Sequence, residues 1–537
     1  MRYLIVNQLS LCEFYIKFGY NLNFTNPQTK KYMKILGVIV IMLFCSSILY
    51  GQGNTEKWKV FELTLPGPAT GNPFKEIKLS GKFIIEKDTI SVPGFYDGNG
   101  IYKIRFMPSK EGKWNYITAS NNKKLDNKKG TFNCTQAQKE NHGPVAVKDT
   151  FYFTYADGTP HYSFGTTCYG WVHQGDSLAE LTIKTLAKGY FNKIRMCIFP
   201  KSYDWNHNEP KYYPFEGTPL KTWDYSRLNP AFFRNIEKRI RQLDSLDIQA
   251  DLIVFHPYDR WGYSNLDRAT EDMYIDYIIA RFAAYKNVWW SMANEWDFMR
   301  DKKLSDWDYY VEQFGKKDKF HHLIGIHNGT RFYDHTNPYI THASIQSEDT
   351  YRAKEYMRKY KKPVVFDECR YEGNIPWSWG NLTAQSMIEK FWRGVTNGAY
   401  VGHGETYVTE NPVKLPEESS DILWWSKGGV LRGESPERIK FLRKIIEAAP
   451  PHLKPIPLFT WMPFSAIGIP NEYYLGYLND AQPRSIVIEL PKNSSFNVEL
   501  IDTWNMIITQ VQKKFSGRSL IELPGKPYMA VRISRQK

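Results

Sequence analysis

The stretch KNVWWSMANEWDFM, residues 286–299, places the polar pair Asn294–Glu295 directly after an apolar run. The run Val288–Ala293 contains one polar residue, Ser291, so it predicts a strand buried on both faces, as in parallel sheets. A carboxylate that follows such a strand must lie at a rim or in a pocket. The stretch therefore predicts a parallel α/β core with a polar site at the carboxyl ends of its strands.

Short apolar runs of the same kind alternate with helical periodicity between about residues 145 and 450. Eight strand–helix units in this space predict an α/β fold, a (β/α)₈ TIM barrel. A doubly wound open sheet is the main alternative, but the count of eight and the lack of a glycine-rich phosphate loop after the first strand argue against it. The eight runs are HYSFGTT (161–167), FNKIRMCIFP (191–200), IQADLIVFHP (248–257), NVWWSMANEW (287–296), HLIGIHNG (322–329), ITHASIQ (340–346), PVVFDECR (363–370) and AYVGHGE (399–405).

The segments on either side of the predicted barrel show strand alternation broken by turn residues. Residues 52–140 predict an immunoglobulin-like β-sandwich, and residues 453–537 predict a small C-terminal antiparallel β domain. With the catalytic barrel at 141–452 and a presequence at 1–51, the chain divides into four parts.

The presequence resembles a secretory leader. KKYMKILGVIVIMLFCSSILYGQ (30–52) has a basic start, an apolar stretch from Ile35 to Phe44 and small residues before Gln52, which predicts a signal peptide too short for a stable membrane span. We expect Met33 to be the true start and cleavage to fall before Gln52. The prediction is an exported protein, periplasmic or extracellular.

Composition narrows the choice of partners. The formal charge is +14, which fits a solvated basic surface or attraction to an anionic polysaccharide; no nucleic-acid motif accompanies it. The chain holds 17 Trp and 36 Tyr, whose flat faces suit sugar rings as well as ordinary cores. Cys134, Cys168, Cys197 and Cys369 lack metal-ligand spacing and predict buried free thiols.

Polar side chains follow the ends of the predicted barrel strands, whereas the strand middles look apolar. In such barrels the catalytic residues sit at these carboxyl ends. The candidates there are Arg195 on strand two, His256 on strand three, Asn294 and Glu295 on strand four, Asn328 on strand five, His342 and Gln346 on strand six, Glu368 on strand seven, and His403 and Glu405 on strand eight. Tyr169, Trp171, Trp205, Trp377 and Trp379 fall in loops at the same end and are candidate sugar-stacking residues.

Two of these side chains could cleave an acetal. Such cleavage requires one carboxyl group that protonates the leaving oxygen and another that attacks carbon or activates water. Glu295 and Glu368 are the predicted pair; Asp367 competes closely with Glu368, and Glu372 is a more distant competitor. Strand alternation places Phe366 and Glu368 on one face and Asp367 on the other, so the register decides between them.

At these motifs the sequence resembles the clan A glycoside hydrolases, which are retaining (β/α)₈ enzymes. The resemblance rests on ANEW (293–296) after strand four and FDEC (366–369) after strand seven. It implies that Glu295 is the acid/base, that Asn294 hydrogen-bonds the sugar 2-hydroxyl, and that Glu368 is the nucleophile. Arg195 would match the arginine beneath the nucleophile.

Two longer stretches, YFTYADGTPHYSFGTTCYGWVH (152–173) and GYFNKIRMCIFP (189–200), are similar to the apiosidase-like branch. Its relatives carry an N-terminal immunoglobulin-like domain and a C-terminal β domain.

The sequence therefore predicts a retaining glycoside hydrolase acting on glycans derived from plant or algal polysaccharides. No metal and no organic cofactor is predicted. A non-catalytic carbohydrate-binding protein on a decayed barrel is the alternative; a metal-dependent hydrolase is disfavoured because the strand ends lack a His-x-His pair and clustered aspartates. The sugar, the linkage, endo or exo action and the oligomeric state stay open.

Overall fold

The computed structural model describes residues 53–219, 221–458, 462 and 464–536. The predicted presequence and its signal peptide lie outside the described residues. Asn54–Lys129 and Asn133–Lys537 group into one compact unit. Within the described ranges, no helix combines the length and the apolar composition that a membrane crossing requires.

The N-terminal part is a β domain with one short helix, α1 (Pro73–Glu76). Its strand β4 pairs antiparallel with β3 through its first half and with β5 through its second half. The ring of Phe83 on β3 stacks on that of Phe106 on β5, with centroids 4.2 Å apart. The predicted β domain is present, and its immunoglobulin-like assignment stays a prediction. The strands are β1 (Asn54–Glu56), β2 (Phe61–Pro66), β3 (Leu79–Ile85), β4 (Asp88–Tyr96), β5 (Ile101–Phe106), β6 (Gly112–Ser120) and β7 (Lys129–Thr135).

A small antiparallel sheet follows and packs against the lower end of the barrel. It consists of β8 (Val145–Lys148), β9 (Tyr152–Tyr155) and β10 (Pro160–His161). Phe153 on β9 contacts the ring of Trp289 with centroids 5.0 Å apart and that of Tyr400 at 4.8 Å. Both partners stand at the beginnings of barrel strands, so this sheet lies at the end opposite the strand termini.

Eight parallel strands form a nearly closed barrel, each strand falling within one of the eight predicted runs. Their order is β17-β16-β15-β12-β11-β21-β19-β18. Between the edge strands β17 and β18, the backbone N–H of Thr341 donates to the carbonyl of Ile324 at 2.9 Å. The barrel strands are β11 (Phe164–Thr167), β12 (Lys193–Cys197), β15 (Gln249–Phe255), β16 (Val288–Ala293), β17 (Ile324–Gly325), β18 (Ala343–Gln346), β19 (Val364–Glu368) and β21 (Tyr400–His403).

Helices cover the outside of the barrel, with local sequence signals at several of their starts. The Asn229 side chain accepts from the N–H of Ala231 at the start of α3, and the Asp267 side chain accepts from Thr270 at the start of α4. The helices are α2 (Asp176–Leu186), α3 (Pro230–Asp244), α4 (Arg268–Phe282), α5 (Leu304–Lys317), α6 (Ala353–Tyr360), α7 (Ala384–Thr396), α8 (Trp424–Lys427) and α9 (Ser435–Glu447). Short strands accompany them: β13 (Phe215–Thr218), β14 (Thr222–Leu228), β20 (Glu372–Gly373) and β22 (Glu405–Thr406).

Two expectations about the barrel need correction. Strand five is not followed by a helix, since residues 326–342 are turns and coil; NGTRFYDHTNP within them is rich in Gly, Asn, Asp and Pro, which favour turns. The strand middles are also not uniformly apolar. Lys193 lies inside the barrel, 2.9 Å from Asp251 and 2.5 Å from Asp367, with all three side chains buried. Each buried charge therefore has a partner of opposite sign.

The C-terminal part is an antiparallel β domain, as predicted. Its main sheet has the order β23-β24-β25-β30-β27-β28, and β26 pairs with β29. Leu478, Ile488, Phe496, Val498 and Ile533 are buried in its core. Its strands are β23 (Lys454–Pro455), β24 (Ser465–Ile469), β25 (Tyr473–Tyr477), β26 (Ser485–Glu489), β27 (Phe496–Asp502), β28 (Ile507–Gln510), β29 (Arg518–Glu522) and β30 (Met529–Arg535). The four cysteines outside the presequence are free and buried.

Candidate active site

Glu295 stands where the chain leaves the fourth barrel strand. Every residue of β16 is buried, and the N–H of Asn294 extends the strand pairing by donating to the carbonyl of Phe255 at 3.0 Å. Glu295 then adopts a left-handed conformation, φ 54°, and begins the short 3₁₀ turn Trp296–Phe298. A non-glycine residue rarely adopts this conformation. The strand thus ends abruptly, with the Glu295 side chain on the wall of a cavity.

Glu368 reaches the same cavity because β19 is irregular at its end. Ile345 pairs with Phe366, but the next pair is Gln346 with Glu368, so the register shifts at Asp367. Phe366 points outward against Tyr356 of α6, whereas Asp367 contacts Lys193 inside the barrel. Regular alternation would place Glu368 on the outer face with Phe366, which corrects the sequence argument. The bulge turns Glu368 inward as well.

Both glutamates line one cavity of about 480 Å³ at the carboxyl ends of the barrel strands. Of the predicted binding residues, Tyr169, Asn294, Gln346 and Trp379 also line it. Tyr169 and Asn294 lie between the two carboxyl groups. The hydroxyl of Tyr169 lies within hydrogen-bonding distance of Glu368 Oε1 and 2.8 Å from Asn294 Oδ1. Asn294 Nδ2 in turn donates to Glu295 Oε2 at 3.0 Å.

Glu295 is held by neutral donors. The hydroxyl of Tyr258 donates to its Oε2, and the Gln346 amide, oriented with its nitrogen toward the cavity, donates to Oε1 at 3.3 Å. Burial raises the pKa of Glu295, against the opposing effects of the Lys201 ammonium and the Tyr258 hydroxyl. A carboxyl group of this kind can retain a proton and deliver it to a leaving oxygen.

Glu368 is paired directly with a cation. Arg195 Nη1 lies 3.1 Å from Glu368 Oε1. Burial raises the pKa of Glu368 to about 8. The adjacent guanidinium favours the ionised form. Glu368 is therefore the carboxylate of the two that has a positive charge in contact with it.

Arg195 and Asn328 lie behind the cavity wall. Besides Glu368, Arg195 approaches Asp251, with its Nε 3.7 Å from Oδ2. Asn328 accepts from the backbone N–H of Gln346 at 3.1 Å and donates to its carbonyl at 3.2 Å. Both residues position side chains that line the cavity.

The three predicted histidines are core residues that do not line the cavity, and His342 directly precedes β18, so it stands at the amino end of strand six and not at its carboxyl end. His256 Nε2 lies 3.1 Å from the carbonyl of Phe199, His342 Nδ1 lies 3.1 Å from the Thr341 hydroxyl, and His403 Nδ1 lies 3.1 Å from the Thr166 hydroxyl. Burial lowers the pKa of His256 and His403 to about 3 and that of His342 to about 4. All three are therefore neutral at physiological pH.

Three of the predicted tryptophans also stand away from the lining. Trp171 is fully buried, with the Arg239 guanidinium 5.8 Å from its ring centroid. Trp205 packs edge-on against Trp377 at 5.0 Å, and Trp377 stacks on Trp379 at 6.2 Å. These two form a layer behind Trp379, whose ring lines the cavity.

Glu405 belongs to a separate buried group. Its carboxylate accepts from the N–H groups of Arg432 and Gly433, both at 2.7 Å. In the part of the chain that the structure describes, Glu372, His403 and Glu405 form the one group of three or more His, Cys or carboxylate side chains whose ligand atoms all lie within 4.8 Å of one another. The Glu372 carboxylate likewise accepts from the N–H of Glu434 at 2.8 Å. The two carboxylates hold the loop before α9.

Several lining residues were missed by the sequence analysis, among them Lys201, Tyr203, Tyr258 and Trp425. Lys201 and Tyr258 directly follow the FP and HP that end predicted runs two and three, so extending the inspection by one residue past each run would have found them. Trp425 lies in α8, well beyond strand eight, and no local pattern marks it.

Comparisons with known proteins agree with this architecture. Residues 147–450 match the family model described as apiosidase-like, catalytic domain. Two domains of unknown function match on either side, DUF5060 at residues 54–121 and DUF5605 at residues 461–534. A comparison with curated proteins gives no match.

Among solved structures, a Bacteroides vulgatus protein provisionally described as a glycoside hydrolase shares 39% identity, with a TM-score of 0.85 over 90% of this chain and 100% of its own. A family 5 glycoside hydrolase from the same organism is 14% identical, with a TM-score of 0.59 over 73% of this chain and 93% of its own. A further structure described as a glycoside hydrolase is 15% identical, with a TM-score of 0.58 over 73% and 97%. The last two are similar in fold alone.

Proposed function

Because the chain belongs to the apiosidase-like family, we propose that it is a retaining glycoside hydrolase with Glu295 as the acid/base and Glu368 as the nucleophile. The observation that carries the proposal is the different surroundings of two carboxyl groups on one cavity. Glu368 contacts the Arg195 guanidinium at 3.1 Å, whereas neutral donors surround Glu295.

In the first step Glu368 attacks the anomeric carbon while Glu295 gives its proton to the glycosidic oxygen. The bond between that carbon and that oxygen breaks, the leaving group departs as an alcohol, and the sugar is bound covalently to Glu368. In the second step Glu295, now ionised, removes a proton from water. The resulting attack on the anomeric carbon releases Glu368 and gives a product of retained configuration.

The neighbouring side chains supply positioning and charge. The Tyr169 hydroxyl donates to Glu368. It can stabilise the negative charge of the carboxylate before that charge is lost on formation of the ester. Asn294, fixed between Tyr169 and Glu295, is placed to hydrogen-bond a sugar hydroxyl next to the anomeric carbon. Trp379 and Trp425 give the cavity flat apolar faces that suit a sugar ring.

We further propose the setting in which this chemistry takes place. The leader-like sequence at residues 1–51 supports export to the periplasm or the cell exterior. The substrate class is a glycan derived from a plant or algal polysaccharide. The domain boundaries proposed are 52–140, 141–452 and 453–537, and the stacked rings of Phe83 and Phe106 support an immunoglobulin-like sandwich for the first.

Azide rescue tests the two roles separately. With an activated aryl glycoside, Glu368→Ala should lose at least about a thousandfold in turnover, and azide should restore part of it by forming a glycosyl azide of inverted configuration. With Glu295→Ala, azide should instead give a glycosyl azide of retained configuration, because the covalent intermediate still forms. Glu312→Ala, on the exposed face of α5, is the matched control and should leave turnover unchanged.

Wild-type turnover in Glu368→Ala would remove that residue from the role. Sugar binding without turnover in the wild type, across a panel of aryl glycosides and oligosaccharides, would instead indicate a carbohydrate-binding protein. An NMR record of the first-formed anomer decides between retention and inversion.

A further inference from the structure

Lys201 is a buried cation on the cavity wall. Its side chain follows β12 in sequence and is 5% exposed, and it lines the cavity together with both glutamates. Among the described residues, no ion pair or side-chain hydrogen bond engages its ammonium group. The two other cationic groups of the site are occupied, since Arg195 binds Glu368 and Arg370 binds the carbonyl of Ser378 and the carboxylate of Glu348.

Aromatic rings surround the ammonium group instead. Its Nζ lies 3.6 Å from the ring centroid of Tyr169, 4.2 Å from that of Tyr258, 5.2 Å from that of Trp425 and 5.4 Å from that of Tyr203. Such rings attract a cation through their π faces but accept no strong hydrogen bond. The N–H donors of Lys201 that do not face a ring therefore remain for a group inside the cavity.

The position of this charge is unfavourable for the chemistry unless something balances it. Burial lowers the pKa of Lys201 to about 8, and the ammonium lowers the pKa of the neighbouring Glu295. A general acid has to keep its proton until the leaving group departs. An anion bound against Lys201 would cancel its effect on Glu295 and supply the missing hydrogen-bond acceptor.

We propose that Lys201 binds an anionic substituent of the substrate, so that the enzyme acts on an acidic glycan. The inference rests on the proposed glycosidase function. A carboxylate of a uronic acid and a sulfate ester offer the same chemistry, a singly charged group with oxygen acceptors. A lysine ammonium suits either one as a compact point charge. Because the Lys201 side chain is only 5% exposed, this ion pair is stronger than one at the surface.

The test uses matched substrates and two lysine variants. For each sugar configuration, the 4-nitrophenyl glycoside, its 6-carboxylate and its 6-sulfate are compared in wild type, Lys201→Met and the control Lys316→Met on the exposed side of α5. Wild type should favour one anionic series over the neutral one. Lys201→Met should lower kcat/KM about a hundredfold on that series and by less than about threefold on the neutral series, and the control should match wild type. The series that responds identifies the anion.

A binding experiment separates this inference from the proposed mechanism. In the inactive Glu368→Ala background, calorimetry with acidic oligosaccharides should show weaker binding once Lys201→Met is added, whether or not the wild type turns over any glycoside. Equal losses on neutral and anionic substrates would assign Lys201 to the chemistry or the fold and overturn the proposal. Unchanged binding of acidic sugars, or no binding of them by either form, would also overturn it.

Discussion

The guanidinium of Arg195 and the carboxyl group of Glu368 meet at 3.1 Å, and both side chains are buried. Arg195 belongs to β12, and Glu368 stands at the bulged end of β19. Arg195 Nε also lies 3.7 Å from Asp251, which fixes the guanidinium from below. The ion pair opposes the effect of burial on Glu368 and thereby favours the form that a nucleophile needs.

Removing that cation should shift the pH dependence of the reaction. In Arg195→Met the pKa of Glu368 should rise, because burial remains and the positive charge is gone. The nucleophile has to be ionised, so the acidic limb of the kcat/KM profile should move to higher pH, and the maximum should fall about 100- to 1000-fold. Arg352→Met, which breaks an exposed pair with Glu355, is the control. An acidic limb at the wild-type position, with the fold intact by circular dichroism, would contradict the role.

Tyr258 should control the basic limb of the pH profile. Its hydroxyl donates to Glu295 and thus favours the ionised form of that carboxyl group, holding its pKa down. In Tyr258→Phe the pKa of Glu295 should rise. Since the acid has to be protonated, the basic limb should move to higher pH, with a fall in kcat of about tenfold. Tyr203→Phe changes a ring that lines the same cavity and should leave the basic limb in place. If both variants shift that limb equally, Tyr258 has no special role in the ionisation of Glu295.

The sequence predicted the eight strands of the barrel and the position of Glu295 just after one of them. Glu295 was predictable because a strand buried on both faces has few ways to end in a carboxylate other than at a rim or pocket. Alternation left the choice between Glu368 and Asp367 to the register, and the register contains a bulge that turns Glu368 toward the cavity while Asp367 stays inside the barrel. A bulge depends on the neighbouring strand, here on the pairing of Gln346 with Glu368, and one strand's own sequence does not contain that information.

The histidines show a second limit of prediction. His256 and His403 stand at the carboxyl ends of their strands and His342 at the amino end of its strand, and each ring packs into the core beside a partner contributed by the fold. Trp425 shows the converse, because helix α8, well beyond strand eight in the sequence, brings it to the cavity. Side-chain direction at the end of a strand is decided by tertiary packing, which a position in the sequence does not reveal.

Lys193 should matter for stability more than for catalysis. Its ammonium lies between Asp251 and Asp367 inside the barrel, so Lys193→Met leaves two buried carboxylates without their shared cation. Breaking a buried pair in this way costs about 3–5 kcal/mol, measured as a lower free energy of unfolding in urea. Lys110→Met removes an exposed pair with Asp88 and should change stability by no more than about 1 kcal/mol. Similar effects of the two variants would show that the interior charges are not coupled.

Replacing Lys201 should raise the stability of the protein, whereas replacing Lys193 should lower it. A buried cation that is held for binding destabilises the free protein. Its pKa is lowered to about 8 in the folded state from about 10.4 in the unfolded chain. Below pH 8 Lys201 is protonated in both the folded and the unfolded state, so the full free-energy cost of burying its charge is present. Between about pH 8 and 10.4 the unfolded state binds more protons, so the stability of the folded state rises with pH.

Lys201→Met should therefore be more stable than wild type at pH 7, by about 1–2 kcal/mol once the lost cation–π contacts are subtracted, and the difference should shrink by pH 10. Urea unfolding at both pH values, with Lys316→Met as the exposed control, measures it. A variant less stable than wild type at pH 7 would mean that the aromatic rings stabilise the ammonium more than burial opposes it, and that the charge needs no ligand to balance it.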